Sequence, residues 1–209
     1  DVLDCNLNQL KYYNFIQLKF NGDLLIVSRT GYTGELGFEI YGNSGSIVSL
    51  WENIIDYKKL KVMPVGLGAR DTLRLEMNYS LYGMDISRSI NPIEAGLDWI
   101  TSFNKGDFIG RDALLLEKNE NHKRRISFEM LERAVPRHNY DIIIDGNIVG
   151  KVTSGTQSPT LDKGIGIGYI QVDHSAPGTE ISIDIRSRDK LAVIVNPPFY
   201  KYGTVNNSI

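Results

Sequence analysis

The sequence predicts an α+β architecture: mixed strands and helices first, then an all-β antiparallel barrel or jelly-roll-like domain. Three observations carry this expectation. Strand-forming and helix-forming stretches alternate in the first third, and helix formers follow from Pro64 to about Lys118. A polar run from Glu117 to Asn121 then breaks the pattern. Beyond it, short β-rich stretches follow at close, regular spacing with turn residues between them, the signature of a barrel or sandwich.

The first elements are a hairpin. Tyr13 to Phe20 and Leu24 to Arg29 are β-rich, and Asn21-Gly22 between them suits a type I′ turn, whose two central residues need positive φ. Phe38 to Tyr41 reads as a further short strand. Ser44 is expected to cap a helix with Ile47, Leu50, Trp51, Ile54 and Ile55 on one face. Ala69 to Met77 is rich in helix formers, with Leu67, Leu73 and Met77 as its expected buried stripe; Asp112 to Lys118 suggests a short helix. The later strands are expected at Arg125 to Met130, Tyr140 to Ile144, Val149 to Ser154, Ile165 to Val172, Glu180 to Ile185 and Leu191 to Val195. Asp145-Gly146, Ser158-Pro159, Pro177-Gly178 and Arg188-Asp189 are the expected breaks.

Composition narrows the function classes. With 209 residues and 42% hydrophobic content the chain can bury a sizeable core. A net charge of −2 gives no footprint for nucleic acid or an anionic membrane. The basic cluster His122-Lys123-Arg124-Arg125 is read as a solvated linker. The single cysteine, Cys5, excludes an internal disulfide framework and a cysteine-based zinc site. No stretch reaches the ~18 consecutive apolar residues of a transmembrane helix. His122, His138 and His174 lack metal-ligand spacing and are read as exposed loop histidines. No serine has the context of an activated nucleophile. Gly164-Ile165-Gly166-Ile167-Gly168 lies in a strand pattern and opens no helix, so a closely packed strand is expected there rather than a phosphate loop.

Three features survive as candidate chemistry. In SRTGYTGELGFEI (Ser28 to Ile40), Glu35 and Glu39 flank glycines and aromatics, and a carboxylate beside an aromatic wall can accept paired hydrogen bonds from an amino-heterocycle such as a pterin or guanine. Arg70, in GLGARD, offers a planar fork suited to a carboxylate, or else an intrahelical pair with Asp71 or Glu76 or a link to a neighbouring strand. Trp99, in EAGLDW, could stack on an aromatic ligand, although core packing is the commoner role of a lone tryptophan. Residue chemistry stops at a protein that binds a small aromatic acid.

The ordered set SRTGYTGELGFEI, VGLGARDTLRLEMNYSLYGMDI, INPIEAGLDW, DFIGRDAL, GKVTSGTQSPTL, IGIGYI and PPF resembles the T protein of the glycine cleavage system, an aminomethyltransferase family. The resemblance runs from about Phe15 to Phe199. It implies a role in one-carbon metabolism and glycine catabolism: the lipoyl arm of H protein delivers an aminomethyl group, tetrahydrofolate takes the carbon as 5,10-methylene-tetrahydrofolate, and ammonia leaves. It implies tetrahydrofolate as substrate and carrier, no metal, and lipoylated H protein as partner. It also implies that residues 1–118 are the later part of the folate-binding domain and 119–209 the barrel domain. By the same resemblance Glu39, Arg70 and Trp99 line the folate site, and of Tyr200 and Tyr202 the latter is favoured as the family's C-terminal tyrosine.

Two departures stand out. Leu36 replaces the aspartate common in the family's GEDG turn. The family's chain also begins upstream of Asp1, and that portion carries the catalytic aspartate, so no catalytic residue is nominated here. We expect a fragment, or a second chain supplying the rest, with strand edges and apolar surface exposed toward it. The compartment implied is prokaryotic cytoplasm, or mitochondrial matrix in a eukaryote. A folate-dependent demethylase of the same superfamily and a non-catalytic folate-binding module are the alternative readings.

Overall fold

The structure, a computed structural model, describes residues 2–120 and 123–207. It separates into two compact units, Asp1–Leu73 with Lys201–Ile209, and Arg74–Tyr200.

The first unit is built on an antiparallel sheet of β1 (Phe15–Phe20), β2 (Asp23–Ser28) and β3 (Glu39–Tyr41), with β2 central. Asn21 and Gly22 have φ of 52° and 91°, as a type I′ turn requires, and this fixes the register Phe20↔Asp23. Strand alternation then sorts the side chains. Ile16, Leu18, Leu25, Val27 and Ile40 share one face, where Leu25 and Val27 are fully buried. Phe15, Gln17, Lys19, Leu24, Glu39 and Tyr41 lie on the other face and are exposed, as expected of a sheet with apolar surface left uncovered.

Helix α1 (Ser44–Ile55) is capped by Asn43, not by Ser44: the Asn43 side chain accepts from the Ser46 amide at 2.9 Å, and Ser44 is already helical. The Ser46 hydroxyl reaches back to Asp23 at 2.6 Å, and Asn21 donates to the Ser49 hydroxyl, tying helix to hairpin. Leu50 is buried, but Trp51, expected on the same face, is exposed.

Helix α2 (Leu67–Glu76) also departs from expectation. Leu67 is 81% exposed, and the buried stretch is Arg74-Leu75-Glu76-Met77, half of it charged. Partners explain this. Arg74 donates to Asp85 at 2.6 Å, to the Tyr79 carbonyl at 3.0 Å and to the Ser154 hydroxyl at 2.8 Å. Asp85 also accepts from the Thr153 hydroxyl at 2.5 Å and the Leu81 amide at 2.9 Å. Glu76 accepts from the Ser158 and Thr160 hydroxyls. Buried charge is tolerated where its lone pairs and protons are satisfied in this way.

The second unit continues through a short 3-10 turn (Asp98–Ile100) and α3 (Arg111–Glu120) into the closed antiparallel barrel expected from the sequence. Its strands are β4 (Lys123–Met130), β5 (Asp141–Ile144), β6 (Asn147–Ser158), β7 (Lys163–Gln171), β8 (Glu180–Asp184) and β9 (Asp189–Val195), in the order β4-β7-β6-β5-β8-β9. Closure removes strand edges. Ile126, Phe128, Ile142, Val152, Ile170, Ile183 and Ile194 are among the side chains packed in its core. His122 lies outside the described residues, whereas Lys123 to Arg125, expected as linker, begin β4, and Arg125 donates to the Asn78 carbonyl at 2.8 Å. The β8–β9 turn falls on Arg186-Ser187, both at positive φ, and Asp189, expected as a turn residue, instead pairs with Asp184.

The glycine run is a strand, and the reason is space. A Cβ on Gly166 would lie 2.4 Å from Cζ of Phe128, which is fully buried and cannot withdraw. Gly166→Ala is therefore expected to cost about 1–3 kcal/mol through overpacking, read as a lower urea midpoint; an unchanged midpoint would show that the ring has room. Beside it Tyr169 donates its hydroxyl to the Asp85 carbonyl at 2.7 Å. Burial pushes this phenol up to about 12 against the opposing charge of Arg125, with Asp85 and Glu94 adding to the rise.

Candidate functional site

SRTGYTGELGFEI forms the end of β2, a loop, and the start of β3. The loop is where the candidate residues of the first unit meet. At one end the Thr30 hydroxyl donates to the Glu39 carboxylate and lies 2.9 Å from the Ser28 hydroxyl. Glu39 is held open to solvent on the exposed sheet face, and Tyr41 follows two residues on along the same face. The Glu39 charge raises the Tyr41 phenol above its ordinary value. Arg29 stacks over the Phe38 ring at 4.3 Å.

In mid-loop the guanidinium of Arg70 lies 4.6 Å from the centre of the Tyr32 ring. Arg70 thus contacts the loop between β2 and β3 through a ring face, and not a neighbouring strand as weighed from the sequence. Arg70 remains exposed, with its planar donors at the protein surface.

Glu35 and Glu39 are not equivalent. Glu35 accepts from both the hydroxyl (2.5 Å) and the amide (3.3 Å) of Thr204, in the C-terminal tail. The Leu36 amide donates to the same Thr204 hydroxyl at 2.8 Å. Leucine at position 36 therefore leaves the turn's backbone donor satisfied. Sequence reasoning missed Thr30, Tyr32 and Thr204. A threonine adjoining a glycine turn could have suggested Thr30, but no local pattern links Glu35 to a residue 169 positions later.

Tyr202 is 84% exposed in the tail of the first unit, whereas Tyr200 belongs to the second, where its amide donates to the Glu76 carbonyl. Trp99 also belongs to the second unit and sits in the 3-10 turn. It is 79% exposed, so the core-packing role does not apply. The fold of the first unit thus brings Glu39, Arg70 and the Tyr202 tail to one loop, whereas Trp99 belongs to the second unit. His138 is exposed, 2.8 Å from the Thr153 carbonyl, and His174 lies in a short 3-10 turn. Among the described residues no group of His, Cys, Asp and Glu is arranged to hold a metal ion.

Comparison with known proteins divides the chain later than the two compact units do. A family model described as the GCVT N-terminal domain matches residues 1–105. A second, the glycine cleavage T-protein C-terminal barrel domain, matches residues 123–201. An aminomethyltransferase of Halothermothrix orenii is 46% identical over 200 residues, covering 95% of this chain and 56% of that protein. One from Bacteroides thetaiotaomicron is 45% identical over 205 residues, covering 96% and 57%. The crystal structure of glycine cleavage system aminomethyltransferase T from Bartonella henselae superposes with a TM-score of 0.85 at 31% identity, covering 92% of this chain and 54% of that one. The chain therefore spans about half the length of the curated relatives it matches.

Proposed function

Because the chain belongs to the glycine cleavage T-protein family, we propose that it forms the folate-binding and barrel portion of an aminomethyltransferase. In this reading residues 1–118 contribute to the folate-binding domain and 119–209 carry the barrel domain, with the tail from Lys201 belonging to the first compact unit. The donor is the aminomethyl group carried on the lipoyl sulfur of H protein. Its carbon passes to tetrahydrofolate, the carbon–sulfur and carbon–nitrogen bonds break, and 5,10-methylene-tetrahydrofolate, ammonia and the dihydrolipoyl thiol are released.

The observation that carries the reading is the loop from Ser28 to Phe38, which holds an open carboxylate at one end and a ring-stacked guanidinium in its middle. This donor and acceptor set fits a folate. Glu39, oriented by Thr30, would accept the two parallel hydrogen bonds of a pterin amino group and ring N–H. Arg70, oriented by Tyr32, would pair with a carboxylate of the same ligand. Tyr202, exposed on the tail of the same unit, would supply aromatic surface to the ligand, and for Trp99 the same role rests on the family resemblance alone. The contribution of these residues is positional: they hold the folate nitrogen in register with the incoming carbon and keep water away.

Catalysis needs more than this chain in our reading. The exposed face bearing Phe15, Leu24 and Tyr41 suits a covering segment, whether from a longer parent chain or a second chain. The part of the relatives' length that this chain does not span supports the same view. We place the protein in prokaryotic cytoplasm, or mitochondrial matrix if the source is eukaryotic; among the described residues no helix is long and apolar enough to cross a membrane.

The test is transfer itself. Mixed with aminomethylated H protein and tetrahydrofolate, this chain should bind the folate and release no ammonia. Full transfer by the chain alone would overturn the proposed division of the site. Transfer from sarcosine-type donors without H protein, once the rest of the family's length is supplied, would move the assignment to a demethylase.

A further inference from the structure

We propose that Glu35 and Thr204 form a latch that holds the Tyr202 segment against the glycine-rich loop, which makes them positioning residues for the folate site. This inference rests on the folate reading above and adds to it a role for the carboxylate that reading leaves out.

Each end of the latch is bonded more than once. The Thr204 hydroxyl donates to a Glu35 carboxylate oxygen and accepts from the Leu36 amide, and the Thr204 amide donates to the same Glu35 oxygen. One residue on, the Val205 amide donates to the Gly34 carbonyl at 3.2 Å, and the Val205 side chain is 3% exposed. Gly34 sits at φ +81°, so the backbone that presents this carbonyl favours glycine. The tail then closes on itself. The Asn206 side chain donates to the Lys201 carbonyl at 3.2 Å, and its amide donates to the Gly203 carbonyl at 3.1 Å. Lys201 to Asn206 is thus a closed loop, anchored at Thr204 and Val205, with Tyr202 exposed on it.

This arrangement does more than tidy a chain end. An anchored loop confines an exposed tyrosine that would otherwise sample many positions, so a ligand ordering that tyrosine loses less conformational entropy on binding. Glu35, which receives the anchor, lies four residues from Glu39 along the same stretch, so tail and pterin-directed carboxylate share one support. A carboxylate accepting two hydrogen bonds from one residue is a positioning contact.

The test uses Thr204→Val, Thr204→Ser and Glu35→Gln, with Glu39→Ala as the control for the folate reading. Trypsin cleavage after the exposed Lys201 reports the tail directly. Thr204→Val and Glu35→Gln should raise that cleavage rate about tenfold, because local opening sets the rate. Thr204→Val should also weaken tetrahydrofolate binding by about fivefold in calorimetry with little change in melting temperature, and Thr204→Ser should restore both readouts, since the effect is local. In a Tyr202→Ala background, Thr204→Val should add nothing to the loss of affinity if the latch acts through Tyr202. Unchanged cleavage would overturn the latch. Faster cleavage with unchanged affinity, or additive losses with Tyr202→Ala, would overturn its positioning role. If Glu39→Ala leaves affinity unchanged, the folate reading fails instead, while the cleavage assay still decides whether the latch exists.

Discussion

Arg74→Ala should lower the unfolding free energy of the second unit by about 3–5 kcal/mol, the usual cost of removing one partner from a buried ion pair. The size follows from what stays behind. Arg74 and Asp85 are each 1% exposed. Without the guanidinium, Asp85 keeps its hydrogen bonds from Thr153 and the Leu81 amide but becomes a buried, uncompensated anion, and the Tyr79 carbonyl and Ser154 hydroxyl each lose a donor. The measurement is a urea unfolding curve followed by far-UV circular dichroism. A double variant, Arg74→Met with Asp85→Leu, should be less damaging than Arg74→Ala alone, because it leaves no isolated charge. A loss below about 1 kcal/mol for Arg74→Ala, the range of a surface pair, would mean that the network contributes little to stability.

The same network marks where the sequence stopped being legible. Strand content and the barrel could be read because alternation and turn residues are local signals: Asn21-Gly22 set the first hairpin, and the spacing of turns announced the barrel strands. Helix α2 was read by hydrophobicity, which assigns arginine and glutamate to water. Their partners, Ser154 and Ser158, come 80 and 82 residues later, on a strand whose hydroxyls look like ordinary surface residues. The run TSGTQSPT is therefore a row of hydroxyls that satisfies buried charge: Thr153 serves Asp85, Ser154 serves Arg74, and Ser158 and Thr160 serve Glu76. The turn at Arg186-Ser187 escaped for a different reason. Neither residue is a favoured former of the left-handed conformation, and the register of β8 with β9 imposes it. At the candidate site, Glu39 and Arg70 were legible as chemistry. The orienting partners Thr30 and Tyr32, and the tail that returns to Glu35, depend on the folded loop.

Glu39→Ala should weaken tetrahydrofolate binding about a hundredfold, whereas Glu35→Ala should cost less than about tenfold. Losing a charge-assisted pair of hydrogen bonds removes roughly 1.5–3 kcal/mol, and each 1.4 kcal/mol is a factor of about ten in affinity. Glu39 can make those bonds because Thr30 fixes it on the exposed sheet face, while both hydrogen bonds to Glu35 come from Thr204 and its loss reaches the ligand through the tail. Glu39→Gln separates charge from shape. An amide keeps one acceptor but presents a donor where the pterin also donates, so its affinity should fall close to that of Glu39→Ala. The phenol of Tyr41 gives an independent control. Its raised pKa is caused chiefly by the Glu39 charge, so in Glu39→Gln it should titrate at lower pH, visible as earlier phenolate absorbance. If that shift appears while folate affinity is unchanged, the carboxylate occupies the face described and the ligand does not use it. Equal losses from Glu35→Ala and Glu39→Ala would remove the distinction between the two carboxylates and, with it, the assignment of Glu39 to the pterin.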